Sequence, residues 1–139
     1  MRVVLDIDGT LCHSRGANYE DPASLLANCQ PIPGAHGAVM RHLEQGHEVS
    51  FLTGRPEKVR AVTRLQLASW FPLDEIEVRH RQHSPFSWEL YVQEKATSLN
   101  DLAADLYIGD RSEDRQAAKL AGVAFLDAEE WRGAGAVFA

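Results

Sequence analysis

Short runs of β-branched and aromatic residues alternate along this chain with longer runs of helical periodicity, and that alternation constrains the fold more than any other feature. Val3 to Ile7 reads as a buried strand, Glu48 to Thr53 as a second, Glu75 to Arg79 as a third, Leu106 to Gly109 as a fourth and Val123 to Leu126 as a fifth. After the first strand, Pro33-Gly34 opens a helical stretch in which Ala35, Val39 and Leu43 fall at a spacing of four. Gly46 stops it, at a position that favours positive φ. Pro56 sits where a first helical turn tolerates proline, and Val59, Val62, Leu65 and Ala68 continue that helix. Trp88 to Leu102 and Ser112 to Ala121, the latter closed by Gly122, supply two more. Strands alternating with helices pack as a parallel sheet covered on both faces, so an α/β fold is expected.

At 139 residues a single core can bury roughly 68–70% of the unfolded chain's surface, and one domain over residues 1–139 is the expectation. With 45% hydrophobic and 24% charged residues the chain is neither a disordered tail nor a collagen-like repeat. Cys12 and Cys29 give no metal spacing and no disulfide framework, and read as buried or loop thiols. The net charge of -6 argues against charge-driven binding of long nucleic acid but leaves room for a local basic groove. No stretch approaches the ~18 apolar residues of a membrane span, so a soluble cytoplasmic protein is the simplest reading. The last seven residues, 133–139, read as a loose or docked tail.

One segment breaks the alternation. Residues 11–32 are long for a strand-to-helix connection, and segments of this kind are commonly functional. Following the first strand directly, the segment is expected to overhang that strand's C-terminal end as a flap-like loop, at the edge where open α/β sheets bind ligands.

Asp6-Ile7-Asp8-Gly9-Thr10 ends the first strand. Two acids two residues apart on extended chain point to the same side, and like charges that close need a cation or a shared proton. Carboxylates with a glycine and a threonine at a strand end suit Mg²⁺ and phosphate; the alternative is a solvated turn. Leu52-Thr53-Gly54-Arg55 ends the second strand with a hydroxyl and a cation, Gly109-Asp110-Arg111-Ser112-Glu113-Asp114 ends the fourth with more carboxylate, and Lys95 lies between them. Together they form the inventory for aspartyl-phosphate chemistry: a carboxylate nucleophile, donors for phosphate oxygens and a hard cation held by oxygens.

Arg55 reads either as a surface arginine at a helix start, where a cation is mildly unfavourable, or as a fork holding a substrate phosphate; the second reading is adopted. His80, Arg81, His83, Phe86, Trp88 and Tyr91 form a further patch, in which aromatics could stack bases and arginines contact phosphates. The competing reading is core packing for Trp88 and Tyr91 and solvated charge for the rest. His13 and Arg15 lie on the long loop near Asp8, and His36, His42 and His47 read as surface residues.

The four motifs, in their order and covering Asp6 to Asp114, resemble the haloacid dehalogenase superfamily of phosphohydrolases. Within it the chain is similar to the 3′-phosphatase domain of polynucleotide kinase, on Arg15-Gly16, Tyr19, Thr53 to Arg55 and the stretch from Arg81 to Lys95. The resemblance implies a three-layer α/β/α Rossmann-like fold with a parallel five-stranded sheet in the order 3-2-1-4-5. It implies that Asp6 attacks phosphorus, that Asp8 protonates the leaving alcohol and then activates water, that Thr53 bonds a phosphate oxygen and that Lys95 neutralises charge. Asp110, the Asp6 carboxylate and the Asp8 carbonyl would hold Mg²⁺. Asp114 would hold the metal's waters or orient Lys95, and Arg111 stands where many members carry a second acid. Thr10, Arg15, Gly54, Arg55 and Arg81 are the expected substrate contacts. Neither Thr10 to Thr53 nor Thr53 to Lys95 has room for a substantial cap domain, so the site should be open. An open site suits a bulky phosphorylated substrate such as a polynucleotide end, or closure by a second copy of the chain. The expected function is a Mg²⁺-dependent phosphomonoesterase, favouring a polynucleotide 3′-phosphate end. The alternatives are a phosphatase for a small metabolite or nucleoside monophosphate and a catalytically silent binding module.

Overall fold

The computed structural model describes residues 1–82 and 87–133. Five strands form one parallel sheet: β1 (Arg2–Leu5), β4 (Glu48–Pro56), β5 (Val78–Arg81), β6 (Leu106–Gly109) and β7 (Ala124–Asp127). Their spatial order is β5-β4-β1-β6-β7, the third, second, first, fourth and fifth strands of the sheet, as the resemblance implies. β1 is central, pairing Leu5 with Phe51 on one side and with Ile108 on the other.

Side chains alternate across a strand, so β1 feeds two cores. Val3 and Leu5 join the cluster closed by Ala35, Ala38 and Val39 of α2 (Ala35–Glu44), Leu67 of α3 (Arg60–Trp70) and Trp131 of α6 (Ala128–Gly133). Val4 joins the opposite cluster, with Leu99 of α4 (Trp88–Asp101) and Ala117 and Ala118 of α5 (Ser112–Ala121). The result is three layers, α/β/α. Among the described residues no separate cap domain interrupts them, and no helix is long and apolar enough to cross a membrane.

Several elements differ from the sequence reading. The third strand of the sheet begins at Val78 rather than Glu75, because inward-facing burial starts only at Val78 and continues at His80. Pro56 ends β4 instead of opening a helix; its ψ of 159° is extended, and a 3₁₀ turn (Glu57–Val59) precedes α3. Residues 11–32 are not a bare loop. They carry β2 (Cys12–His13), paired antiparallel with β3 (Gln30–Pro31), and between them α1 (Pro22–Asn28), where Asp21 accepts from Ala23 N at the N-cap and Pro22 occupies the first turn. α6 has no counterpart in the sequence reading. Asp127 caps it by accepting from Glu129 N at 3.0 Å, and the fully buried Trp131 anchors it. Trp131 Nε1 donates to His42 Nε2 at 2.9 Å, so His42 is buried core and not surface. Of the tail, residues 134–139 lie outside the described residues.

Candidate active site

Asp6 follows β1 directly, and its N–H donates to Ile108 O at 2.9 Å, which pins the nucleophile candidate to the centre of the sheet edge. The residue is 6% exposed. Thr10 Oγ1 donates to Asp6 Oδ2 at 3.1 Å, and Lys95 Nζ lies 3.9 Å from Asp6 Oδ1. Thr10 thus serves Asp6 rather than reaching outward. The turn after Asp6 is fastened from the far end of the chain, where Arg132 Nη1 donates to Gly9 O at 3.2 Å and to Thr10 O at 2.8 Å. Gly9 has φ +84°, and a Cβ there would fall on the Asp110 carboxylate. The Asp-Gly pair is therefore needed for the acids to approach.

Behind Asp6, Lys95 and Asp114 are buried and joined. Lys95 Nζ donates to Asp114 Oδ1 at 2.5 Å, Tyr107 Oη donates to the same oxygen at 2.7 Å, and the backbone N–H groups of Asp110 and Arg111 donate to Asp114 Oδ2 at 3.2 Å each. Gly109 lets this happen, since a Cβ would stand 2.6 Å from the Asp114 carboxylate. Burial alone would lower the Lys95 pKa, but Tyr107, Asp6, Asp114 and Tyr91 outweigh it and hold the ammonium well above its ordinary value. Burial first, and then the Asp114 charge, push the Asp6 carboxyl well above its usual range, with Lys95 opposing.

Asp6, Asp110 and Asp114 offer carboxylate oxygens within 4.8 Å of one another. A crowd of three acids with one shared ammonium is short of positive charge, and its donors are all hard oxygens. That fits Mg²⁺. Because Asp114 is committed to Lys95 and Tyr107, the carboxylates that could hold the ion are Asp6 and the exposed Asp110.

A cleft of about 150 Å³ opens over these residues, lined by the buried Asp6, Arg55, Lys95 and Asp114, by the part-buried Asp8, Gly54 and Tyr91, and by the exposed Tyr19, Trp88 and Arg111 at its rim; the Lys95 ammonium lies 4.8 Å over the Tyr91 ring.

No protein-family model matches the chain, and no curated protein sequence matches it. Solved structures do. A chain of the Pnkp1/Rnl/Hen1 RNA repair complex superposes with a TM-score of 0.72 at 16% identity, over 91% of this chain and 42% of that one. A HAD-superfamily hydrolase, subfamily IA, from Geobacter sulfurreducens gives 0.57 at 19% identity, covering 89% of this chain and 84% of that one. The chain has the haloacid dehalogenase fold. A D,D-heptose bisphosphate phosphatase from B. bronchiseptica, complexed with magnesium and phosphate, shares that fold with a TM-score of 0.57 at 19% identity, covering 89% and 78%. The present chain spans less than half the length of the Pnkp1-complex chains it matches.

On this haloacid dehalogenase sheet, Arg55 differs most from the sequence reading. It is 1% exposed, and its whole donor set is spent inside the protein. Nε donates to Asp8 Oδ2 at 2.9 Å and Nη2 to Asp8 Oδ1 at 2.8 Å; Nη1 donates to Gln66 Oε1 at 2.7 Å and Thr63 Oγ1 at 3.2 Å; Nη2 also faces Cys29 Sγ at 3.5 Å. A guanidinium carries five N–H donors, so no fork remains for a substrate phosphate. Arg55 is a clamp on Asp8. Thr53 Oγ1 accepts from Arg55 N at 3.1 Å, and His80 Nδ1 stands 3.2 Å from Arg55 O, so the motif's own backbone is fastened too. Arg81 is likewise occupied, with Nε donating to Gly54 O at 3.1 Å and Nη2 3.7 Å from Glu20 Oε1. Arg15 is exposed, and neither it nor Arg81 is among the described residues that line the cleft. His83 and Phe86 lie outside the described residues. Trp88 is 54% exposed, which removes the core-packing reading for it.

Two side chains at the site escape the sequence reading, and a third is read there only in part. Tyr107 interrupts an otherwise apolar buried strand, and a buried hydroxyl that must find a partner was the available signal. Arg111 was read as a missing acid; it is also the exposed cation of the rim. Arg132 carries no local signal, because its target lies more than 120 residues away.

Proposed function

We propose that this chain is a cytoplasmic Mg²⁺-dependent phosphomonoesterase that works through an aspartyl-phosphate on Asp6. The observation that carries this is the arrangement at one strand end: a buried carboxylate held by Thr10 and Lys95, with a second carboxylate, Asp8, gripped at both oxygens by a buried arginine from the neighbouring strand β4. Mg²⁺ held by Asp6, Asp110 and the Asp8 carbonyl would offset charge on the transferred phosphoryl group.

An Asp6 oxygen attacks phosphorus as the ester oxygen leaves and takes its proton from Asp8. Asp8 then takes a proton from the water that attacks the aspartyl-phosphate, releasing phosphate and restoring Asp6. Both Asp8 oxygens accept from Arg55, so each proton exchange loosens one of two bonds while the other keeps the carboxyl aimed. Lys95 faces Asp6 and the transferred group from below, and Tyr107 and Asp114 hold its ammonium in place.

We assign the substrate as a polynucleotide 3′-phosphate end. Among the described residues no cap domain covers the cleft, and the exposed Tyr19 and Trp88 give its rim aromatic faces on which a nucleobase could stack, beside the Arg111 cation for a neighbouring phosphate. Trp88 and Tyr91 stand 6.2 Å apart by ring centroids. The superposition on the Pnkp1 RNA repair complex points the same way, and by that likeness the partners would be RNA-repair proteins. The test compares kcat/KM for a 3′-phosphorylated oligonucleotide, a nucleoside 3′-monophosphate and a sugar phosphate with Mg²⁺ present. The oligonucleotide should lead by at least about tenfold; a sugar phosphate in the lead would make the chain a metabolite phosphatase, and hydrolysis of none would make it a binding module.

A further inference from the structure

The chain's two cysteines meet beside Asp8, although the sequence separates them by an entire helix. Cys12 is fully buried on β2, and Cys29, half-buried, caps the C-terminal end of α1. The β2–β3 ribbon explains the meeting. Cys12 pairs with Pro31, and the backbone at Cys29 is extended (φ -98°, ψ 127°), so Cys29 stands on the same face of the ribbon one diagonal away. The two sulfurs and an Asp8 carboxylate oxygen lie within 4.8 Å of one another.

Two thiols and a carboxylate at that spacing would suit a soft cation, but a cation is already there. Arg55 Nη2 stands 3.5 Å from Cys29 Sγ, 4.0 Å from Cys12 Sγ and 2.8 Å from Asp8 Oδ1. A metal would have to displace a guanidinium whose other nitrogens are bonded to Asp8, Thr63 and Gln66. The remaining chemistry of a close thiol pair is oxidation to a disulfide.

We propose that Cys12 and Cys29 form a reversible disulfide that slows turnover at Asp8, written by a hydroperoxide and erased by a dithiol. The bond needs nothing from the phosphatase reading; its effect on turnover rests on it. An electron pair on the more accessible Cys29 sulfur attacks a peroxide oxygen, the O–O bond breaks, and the departing oxygen leaves as water with the thiol proton, giving a sulfenic acid. Cys12 sulfur then attacks Cys29 sulfur; the S–O bond breaks, and the hydroxyl leaves as a second water with the Cys12 proton. Two thiols lose two hydrogens, and hydrogen peroxide is reduced to two waters.

The coupling to the site is direct. Cys12 Sγ donates to Asp8 Oδ1 at 3.6 Å, and Cys12 is also bridged to Asp8 through the backbone. Oxidation removes that S–H donor and brings the Cys12 sulfur to bonding distance of Cys29. It also converts both of the thiols that Arg55 Nη2 faces, so the clamp and the carboxylate it holds change together. In a cytoplasm that keeps thiols reduced, the pair stays open by default and closes only under oxidant.

The test uses the full chain, reduced, desalted and exposed to hydrogen peroxide. Intact mass should fall by two hydrogens, and the thiols titratable after denaturation should fall from two to none. With Mg²⁺ and a small phosphoester, kcat should drop about tenfold or more on the same time course. Dithiothreitol should reverse all three, and Cys29→Ser should keep its own activity through the same exposure. Thiols that stay free, a disulfide that leaves kcat unchanged, or a Cys29→Ser chain inactivated as fast as the parent would each overturn the proposal. A reduced chain that hydrolyses no phosphoester defeats the phosphatase reading instead, while mass and thiol titre still decide whether the bond forms.

Discussion

Replacing Arg55 separates a positioning role from a substrate-binding one. The guanidinium makes two parallel bonds to Asp8, whose carboxylate is part-exposed at the cleft, and two more to the buried Gln66 and Thr63. Arg55→Met strands the Asp8 carboxylate and removes the donors to two buried acceptors. Breaking a buried pair from one side costs about 3–5 kcal/mol. Thr63 Oγ1 loses little more, because it also donates to Val59 O at 2.9 Å. Arg55→Lys keeps the charge but offers one ammonium where two oxygens and two side chains were served, so a cost of about 2–3 kcal/mol follows. With roughly 2–8 °C per kcal/mol for domains near this size, the thermal midpoint should fall by on the order of 10–20 °C for Met and about half that for Lys. Kinetics on Arg55→Lys complete the test. Because Arg55 touches Asp8 and not the substrate, kcat should fall while KM for a small phosphoester stays within about twofold. A midpoint within about 2 °C of the parent, or a raised KM with kcat preserved, would refute the clamp and restore a substrate-phosphate role.

The other expected outcomes concern stability, the acid cluster and its ammonium. His42 is buried against Trp131; that burial, with His47 beside it, lowers its pKa from 6.5 to about 4. The unfolded chain therefore takes up the proton first, so stability is intact above about pH 6.5 and is lost as pH falls toward 4, on the order of 3 kcal/mol at most. Denaturant unfolding at several pH values reads it, and a stability flat from pH 7 to 4.5 would contradict it. Gly9→Ala should leave the circular dichroism spectrum unchanged but raise the Mg²⁺ concentration for half-maximal activity by about tenfold or more, because Asp110 occupies the place a Cβ would take. An unaltered Mg²⁺ titration would count against Asp110 as a ligand. Tyr107→Phe removes the hydroxyl shared by Lys95 and Asp114 and should cost about 1–2 kcal/mol with a lowered kcat; a fully active, equally stable variant would show the hydroxyl idle.

The central strands were legible because residues 3–5, 51–53 and 107–109 are buried on both faces and read as short, mostly apolar runs, and the helices because Gly46 and Gly122 end them where left-handed backbone is needed. The acids were legible because a carboxylate at a strand end has few structural reasons to exist. What stayed hidden depends on distance in the chain. Nothing local tells whether Pro56 continues a strand or starts a helix, since its φ suits both and only pairing with Arg81 decides. His42 looks like a helix-surface residue until Trp131 arrives from α6 to cover it. Arg55 was placed at the right edge but facing the wrong way: Asp8, Thr63 and Gln66 come from three elements, and together they draw the fork inward. The cysteines meet only because α1 folds residues 11–32 back into a ribbon.

The central claim is that Asp6 carries the phosphoryl group. Rapid acid quench after mixing the chain, Mg²⁺ and a phosphoester labelled in its phosphate should trap label on the protein. The label should be released by hydroxylamine, as an acyl phosphate is, and should map to the peptide containing Asp6. Asp6→Asn should show neither label nor turnover. Steady hydrolysis with no label trapped at any quench time, together with an active Asp6→Asn chain, would contradict the account.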